Sequence, residues 1–267
     1  MTRSLIARAI KTNPEAVAPR VLAAQAQVDA NQPIKAIATL SDVSREHPDN
    51  TALLKVMGRA RIKAQKYGEA AVTLERLVRL APNSPSAHYL LAQAFSLLGN
   101  QGGAITELGI VLALDPKFLR ARIARIRAMM VDNRTNQAFA ALRTLKSDFP
   151  DNPDVLFLEG WIATRLGKFD KAISILKIKL ANYPTEDTAV QLAAALWNGG
   201  KKDTAEKTLK TWISNHKKDV SARLELANYY TIAGRPKDAI NVWRTIIEHV
   251  PTQWVALNNL ASVLTKT

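Results

Sequence analysis

The chain has no cysteine, so neither disulfide pairing nor thiolate chemistry is open to it. That absence fits an oxidising and a reducing compartment equally. Aromatic residues make up only 6% of its 267 positions, and no apolar run approaches the length of a membrane span. The opening residues lack the hydrophobic core of a signal peptide. Histidine is scarce, with four residues, and no histidine pair or carboxylate cluster has metal-ligand spacing. Gly102-Gly103 has no strand before it and no phosphate-loop pattern around it. Strand-like alternation of useful length is absent. No catalytic constellation emerges, and no cofactor is expected. Negative charge is also in deficit: 23 acidic residues face 37 basic ones, a net charge of +14. Such a field favours acidic partners, although basic residues also serve simply to solvate a long surface.

What is present is a ruler. Pro14, Pro48, Pro82, Pro116, Pro150 and Pro184 are each 34 residues apart. The beat slips by one residue and resumes at Lys217 and Pro251, a step read as a deletion before Ala205 that leaves the array continuous. A fixed period of this size marks stacked repeats, each too small to bury a core alone. Twelve residues before each terminal proline stands an alanine: Ala36, Ala70, Ala104, Ala138, Ala172, then Ala205 and Ala239. Four residues after each alanine comes a large residue, from Leu40 and Leu74 to Leu209 and Trp243. Upstream lies a small one, as at Ala24, Gly58, Ala92, Gly160 and Ala227. Small residues let two helix axes approach, and a large one fills the space beside them.

The punctuation assigns two helices, A and B, to each repeat. Gly99, Gly167, Gly199 or Gly200, and Gly234 fall where helix A ends and suit a left-handed cap. Pro33 and Pro236 open helix B, and Pro85 and Pro153 open helix A. Pro48-Asp49-Asn50 and Pro82-Asn83-Ser84 stop one helix and cap the next. His47, His216 and His249 fall near the end of a helix B, where partial positive charge suits the dipole, and His88 takes a core-facing place; all four read as structural. The fold class is all-α, with about seven full repeats in one domain over residues 1–267. Residues 2–13 match a helix B and residues 254–266 a helix A, so the reading expects a piece of a longer array whose apolar ends associate end to end.

The order small, alanine, bulky, proline resembles the tetratricopeptide (TPR) consensus. That resemblance implies a right-handed superhelix whose concave groove is lined by helix A. Carried over position by position, it places Lys55, Arg59 and Lys63 in the groove, with Tyr89 and Gln93, then Arg120 and Arg127, then Phe157, Trp161 and Arg165. The sixth repeat contributes Gln191 and Asn198. Basic and aromatic side chains interleave, suiting carboxylate or phosphate pairing together with stacking. Trp161 either lines the groove or packs on a neighbouring helix; Trp197, Trp212 and Trp243 fall at interior positions. In the fourth repeat the strict register would bury Arg122 and Arg125 and put Ile126 at a small-residue position. Burying unpaired arginine is costly, so a local shift that buries Ile123, Ile126 and Met130 is expected. The carboxylate clamp of chaperone-binding TPR domains is incomplete, because Arg59 stands where an asparagine is required.

Pro153-Asp154-Val155-Leu156-Phe157-Leu158-Glu159-Gly160-Trp161 and Ala256-Leu257-Asn258-Asn259-Leu260-Ala261 resemble the TPR lipoproteins of bacterial exopolysaccharide export systems associated with PEP-CTERM sorting. The resemblance implies a non-enzymatic, periplasmic or envelope-associated scaffold with a lipid-anchored parent. Two kinds of partner follow: a protein or peptide, possibly acidic, held in the groove, or an anionic polysaccharide. Nucleic acid is disfavoured, since no recognised nucleic-acid motif accompanies the charge.

Overall fold

The computed structural model describes Arg8, Thr12, Asn13 and residues 16–217 and 219–265; Pro14, most of segment 2–13 and Lys218 lie outside them. The described residues form fifteen α-helices and no strand. Seven A/B pairs run α1 (Val17–Asp29) and α2 (Pro33–Glu46), α3 (Thr51–Lys63) and α4 (Tyr67–Leu80), α5 (Pro85–Leu97) and α6 (Gln101–Leu114), α7 (Leu119–Val131) and α8 (Thr135–Asp148), α9 (Pro153–Arg165) and α10 (Phe169–Asn182), α11 (Glu186–Asn198) and α12 (Lys202–Asn215), and α13 (Ser221–Ile232) and α14 (Pro236–His249). A fifteenth helix, α15 (Trp254–Leu264), follows as a first helix. The chain divides into two compact units, residues 1–144 and 145–267, with the division inside α8.

The local rules that built the ruler hold atom by atom. Pro33, Pro85, Pro153 and Pro236 occupy the first helical position, where no intrahelical N–H is needed. Asn50, Ser84, Asn152 and Thr185 cap the helices after them by accepting backbone N–H bonds from Leu53, Ala87, Val155 and Thr188. Every A-to-B turn has one residue of positive φ, at Asn31, Gln65, Gly99, Asn133, Gly167, Gly200 and Gly234. The N–H after it reaches back five residues, as Gln32 to the Gln27 carbonyl at 2.8 Å, closing a Schellman cap. Gly200, not Gly199, takes this role in the sixth repeat.

Packing obeys the small–large rule. A Cβ on Gly58 would stand 2.5 Å from Leu74 Cδ2, and one on Gly160 2.6 Å from Leu176 Cδ2, so both positions need their glycine for this approach. Ala36, Leu40, Ala70, Leu74, Ala172, Leu176, Ala205 and Leu209 are all fully buried. In each unit, helix A touches helix A of the next repeat, α1 with α3 and α3 with α5, α9 with α11 and α11 with α13. No two second helices are in comparable contact among the described residues. The first helices therefore line the tighter, inner side of each unit.

The deletion lies before Ala205, as expected, but its place corrects the expectations for Gln191 and Trp197, and the expected shift of α7 is corrected as well. The off-beat residue is missing from the connection 183–185, ahead of α11, where the corresponding connections 47–50, 81–84, 115–118 and 149–152 hold one residue more. Helix α11 is therefore displaced by one position. Gln191 turns inward and is buried, and Trp197 moves to the inner face, half-buried and stacked on Tyr229 at 4.2 Å. Nor does α7 shift. It spans Leu119–Val131, in step with Pro85–Leu97. Ile126 and Met130 are buried as expected, but Ile123 is only half-buried. Arg122 and Arg125 stay at their in-register places, half-buried; the Arg125 Nε is itself buried without a hydrogen-bond partner among the described residues, a cost the helix carries rather than shift.

Candidate binding surface

In unit 1, the cations on α3 are largely committed to neighbouring first helices. Arg59 Nη1 donates to Gln25 Oε1 at 2.7 Å, and Nη2 to Asp29 Oδ1 at 3.3 Å. Gln25 Nε2 donates to both Asp29 oxygens at 2.8 Å. That bond from Gln25, ahead of the Arg59 and Lys63 charges, holds the Asp29 carboxyl below its ordinary value. Lys63 Nζ donates to the Val28 carbonyl at 2.8 Å, and Lys55 Nζ to Ser86 Oγ at 3.2 Å. Gln25 and Asp29 occupy in the first repeat the positions that Arg59 and Lys63 hold in the second. The same ruler, read one repeat earlier, finds them.

Across α5 and α7 the pattern is more open. Tyr89 is half-buried and stacks on Phe118, ring centroids 5.1 Å apart and planes at 29°. Burial raises its pKa, and Arg120, a hydrogen bond from Gln93 and Arg127 pull the other way. Three of the residues expected in the groove, Gln93, Arg120 and Arg127, thus act on the phenol of a fourth, Tyr89. Arg120 and Arg127 are exposed, and no carboxylate pairs with Arg120 among the described residues. The result is an aromatic platform edged by guanidinium groups.

Unit 2 carries four rings on its first helices that are each faced by a cation, one of them the buried Tyr230, with Arg235 Cζ 4.3 Å from its centroid. Arg165 Cζ lies 5.1 Å from the Trp161 centroid, Lys179 Nζ 5.5 Å from Phe157, and Lys202 Nζ 5.2 Å from Trp197. Trp161 and Phe157 are half-buried and Arg165 is exposed. Trp243 and Trp212 lie in the core, as their positions require. Lys179 was not foreseen as part of this surface. It replaces a core residue and is buried, with Nζ 2.6 Å from Thr188 Oγ1.

His88, His216 and His249 are held by hydrogen-bond partners. His88 is buried, its Nε2 donating to the Pro82 carbonyl at 2.8 Å and its Nδ1 2.6 Å from Glu107 Oε2. His216 stacks on Trp212 at 3.8 Å at the end of α12. Among the described residues, no group of three or more histidine and acidic side chains could hold a metal ion, and no helix is long and apolar enough to cross a membrane.

An inner layer of first helices, presenting side chains that bridge successive repeats, defines a helical-repeat binding scaffold. Family models described as tetratricopeptide repeat match residues 29–94 and 123–187. Solved structures agree on the fold. Yeast Tom70 is similar with a TM-score of 0.74 at 17% identity, over 98% of this chain and 58% of that one. A tetratricopeptide repeat protein from Parabacteroides merdae gives 0.71 at 14% identity, over 92% and 97%. The APC/C hetero-tetramer Cut9–Hcn1 gives 0.62 at 17%, over 98% and 52%. The chain thus spans little more than half the length of the Tom70 and Cut9–Hcn1 chains. No curated protein sequence matches it. Residues 29–94 and 123–187 thus match tetratricopeptide repeats, and the fold is an all-α solenoid of that kind.

Proposed function

We propose that the chain is a non-enzymatic protein-interaction scaffold that takes an acidic, partly apolar peptide on the inner face of its first helices. The observation that carries this is the Tyr89–Phe118 stack edged by Arg120 and Arg127. Stacked rings offer a flat apolar face, and arginine supplies directed donors for carboxylate. The Arg59 region is the internal control, because its guanidinium is already held by Gln25 and Asp29. Titration of a fluorescent Glu-rich peptide carrying one phenylalanine tests the reading. Tyr89→Ala and Arg120→Ala should each weaken binding about tenfold, roughly 1.4 kcal/mol, and Arg59→Ala should change it far less. Equal losses at all three positions would refute the assignment.

A second reading, binding of an anionic polysaccharide, is favoured by the Trp161–Arg165 and Trp197–Lys202 pairs of unit 2. Polygalacturonate is the probe: its binding should fall steeply with added salt and depend on Trp161 and Arg165. A bacterial envelope location and an exopolysaccharide export assembly are supported by the resemblance of the two segments quoted from residues 153–161 and 256–261. Fractionation of the native cell, with the chain found in the cytosol, would count against them.

A further inference from the structure

Arg223 is the only buried arginine among the described residues, at 7% exposure. It stands on the flank of α13 that faces the following helix B. Leu54, His88 and Ala189 hold the same repeat position and are buried too. The Arg223 guanidinium makes one hydrogen bond, from Nη1 to the Asp219 carbonyl, and takes part in no ion pair among the described residues. The Asp219 carboxylate is turned to Trp212, whose Nε1 donates to it at 3.0 Å. Arg223 Nε and Nη2 are thus unpartnered. Unlike the sealed Nε atoms of Arg61 and Arg125, they are not shut off from solvent.

The third repeat shows what is missing. There His88 Nδ1 lies 2.6 Å from the Glu107 carboxylate on the following helix B. The residue at the Glu107 position of the seventh repeat is Val242. In place of a carboxylate there is a cleft of about 200 Å³, lined by Ile213 of α12, Arg223 and Leu226 of α13, and Asn241, Val242 and Thr245 of α14. It opens where α12 and α14, two successive second helices, do not pack closely on each other. Thr245 Oγ1 donates to the Asn241 carbonyl at 3.0 Å, so Arg223 is the charged donor of the cleft and Ile213, Leu226 and Val242 form its apolar wall. The space equals that of about seven waters at ~30 Å³ each, below the roughly 300–1,000 Å³ of drug-sized sites. A buried guanidinium without a counter-ion is costly, and an entering carboxylate relieves that cost through paired N–H···O bonds.

We propose that this cleft is a second binding site, on the outer side of unit 2, for a carboxylate carried on a short branched aliphatic body. The carboxylate sits on Arg223 and the body lies against Ile213, Leu226 and Val242. A free short-chain acid and the C-terminal leucine of a partner chain both present this chemistry. The site is independent of the peptide surface on the first helices.

Thermal melts at constant ionic strength test it, with isocaproate as the free acid and a short N-acetylated peptide ending in leucine as the chain terminus. Wild-type Tm should rise by about 3–6 °C once the bound source reaches ten times its dissociation constant. The source that acts at the lower concentration is the better fit. Acetate, which lacks the body, and isocaproamide, which lacks the charge, should act far less. Arg223→Leu, which places here the residue found at Leu54, should abolish the rise. Val242→Glu should abolish it as well, because it supplies from within the carboxylate that Glu107 gives His88. That second variant decides the matter if circular dichroism shows Arg223→Leu unfolded. No rise with either source, an equal rise with acetate or the amide, or a rise that survives in a folded variant overturns the proposal.

Discussion

Replacing Lys179 by methionine should stabilise the protein, against the usual sign for a buried residue with hydrogen bonds. The position belongs to the core row of helix B, held elsewhere by Val43, Leu77, Val111, Trp212 and Ile246, all buried. Lys179 is itself only 4% exposed. Its ammonium has neutral ligands: Thr188 Oγ1 at 2.6 Å, Thr185 Oγ1 at 3.4 Å and the Tyr183 carbonyl at 3.5 Å. Asp154 and Asp187 act on it only through their fields, and burial outweighs them, so its pKa falls below the ordinary lysine value. Removing the amine strands little, because the Thr188 and Thr185 hydroxyls bond each other at 2.7 Å. Exchanging a buried charge for an apolar side chain of similar length is worth about 1–3 kcal/mol where no ion pair is lost. That corresponds to roughly 2–4 °C in Tm per kcal/mol at this chain length.

The pH dependence gives the prediction its sharper edge. With the folded pKa depressed below the unfolded value of about 10.4, the unfolded chain binds more protons between those two values, and wild-type stability rises with pH there. The advantage of Lys179→Met should therefore be full near neutrality and shrink as pH climbs toward the unfolded pKa. Urea unfolding of both proteins at neutral and alkaline pH measures it, with Lys177→Met, exposed on the same helix, as control. A variant less stable than wild type at neutral pH, or an advantage that does not change with pH, refutes the reasoning.

Gln65 holds φ +60° at the turn position where four other repeats have glycine; Gln65→Gly should raise stability by about 1 kcal/mol in thermal melts, as left-handed strain is relieved. Gly58→Val should lower it by about 1–3 kcal/mol, because even its Cβ lies within contact of Leu74; the additional change Leu74→Ala should recover part of the loss. Glu159 is buried between Lys146 Nζ at 2.8 Å and Lys171 Nζ at 3.1 Å. Burial raises its pKa, but the two lysine bonds prevail and lower it. Its contribution is thus present above the unfolded pKa and is lost as pH falls through the folded one, so Glu159→Gln should destabilise at neutral pH and flatten the acid limb of a stability–pH curve.

Backbone features were legible because one side chain decides each of them. Proline at the first helical position, a capping Asn or Ser, and glycine at positive φ act within a few residues, and the 34-residue period checks every instance against the others. The alanine–leucine rows were legible for the same reason: small and large residues meet at fixed spacing, as Gly58 meets Leu74. The place of the deletion was not, since a shorter connection 183–185 and a shorter α11 leave the same downstream beat. Only the helix itself, beginning at Glu186, separates them.

Charge was the least legible layer, for a reason of reach. A period places Cα atoms, and from them the direction of Cβ. Arginine and lysine carry their charge several bonds further, far enough to choose among partners on three helices. Arg59 and Arg120 occupy related faces, yet Arg59 bridges to Gln25 and Asp29 of the preceding first helix, and Arg120 finds no carboxylate among the described residues. The difference is made by what stands one repeat away, not by the arginines. The same holds for Lys179, which survives at a core position because Thr185 and Thr188, at the start of the next helix, solvate its amine. In a repeat protein the period predicts the walls, and the residue one period away decides which wall charges remain for a ligand. Arg120→Ala and Arg59→Ala, compared in one binding assay, measure that distinction directly.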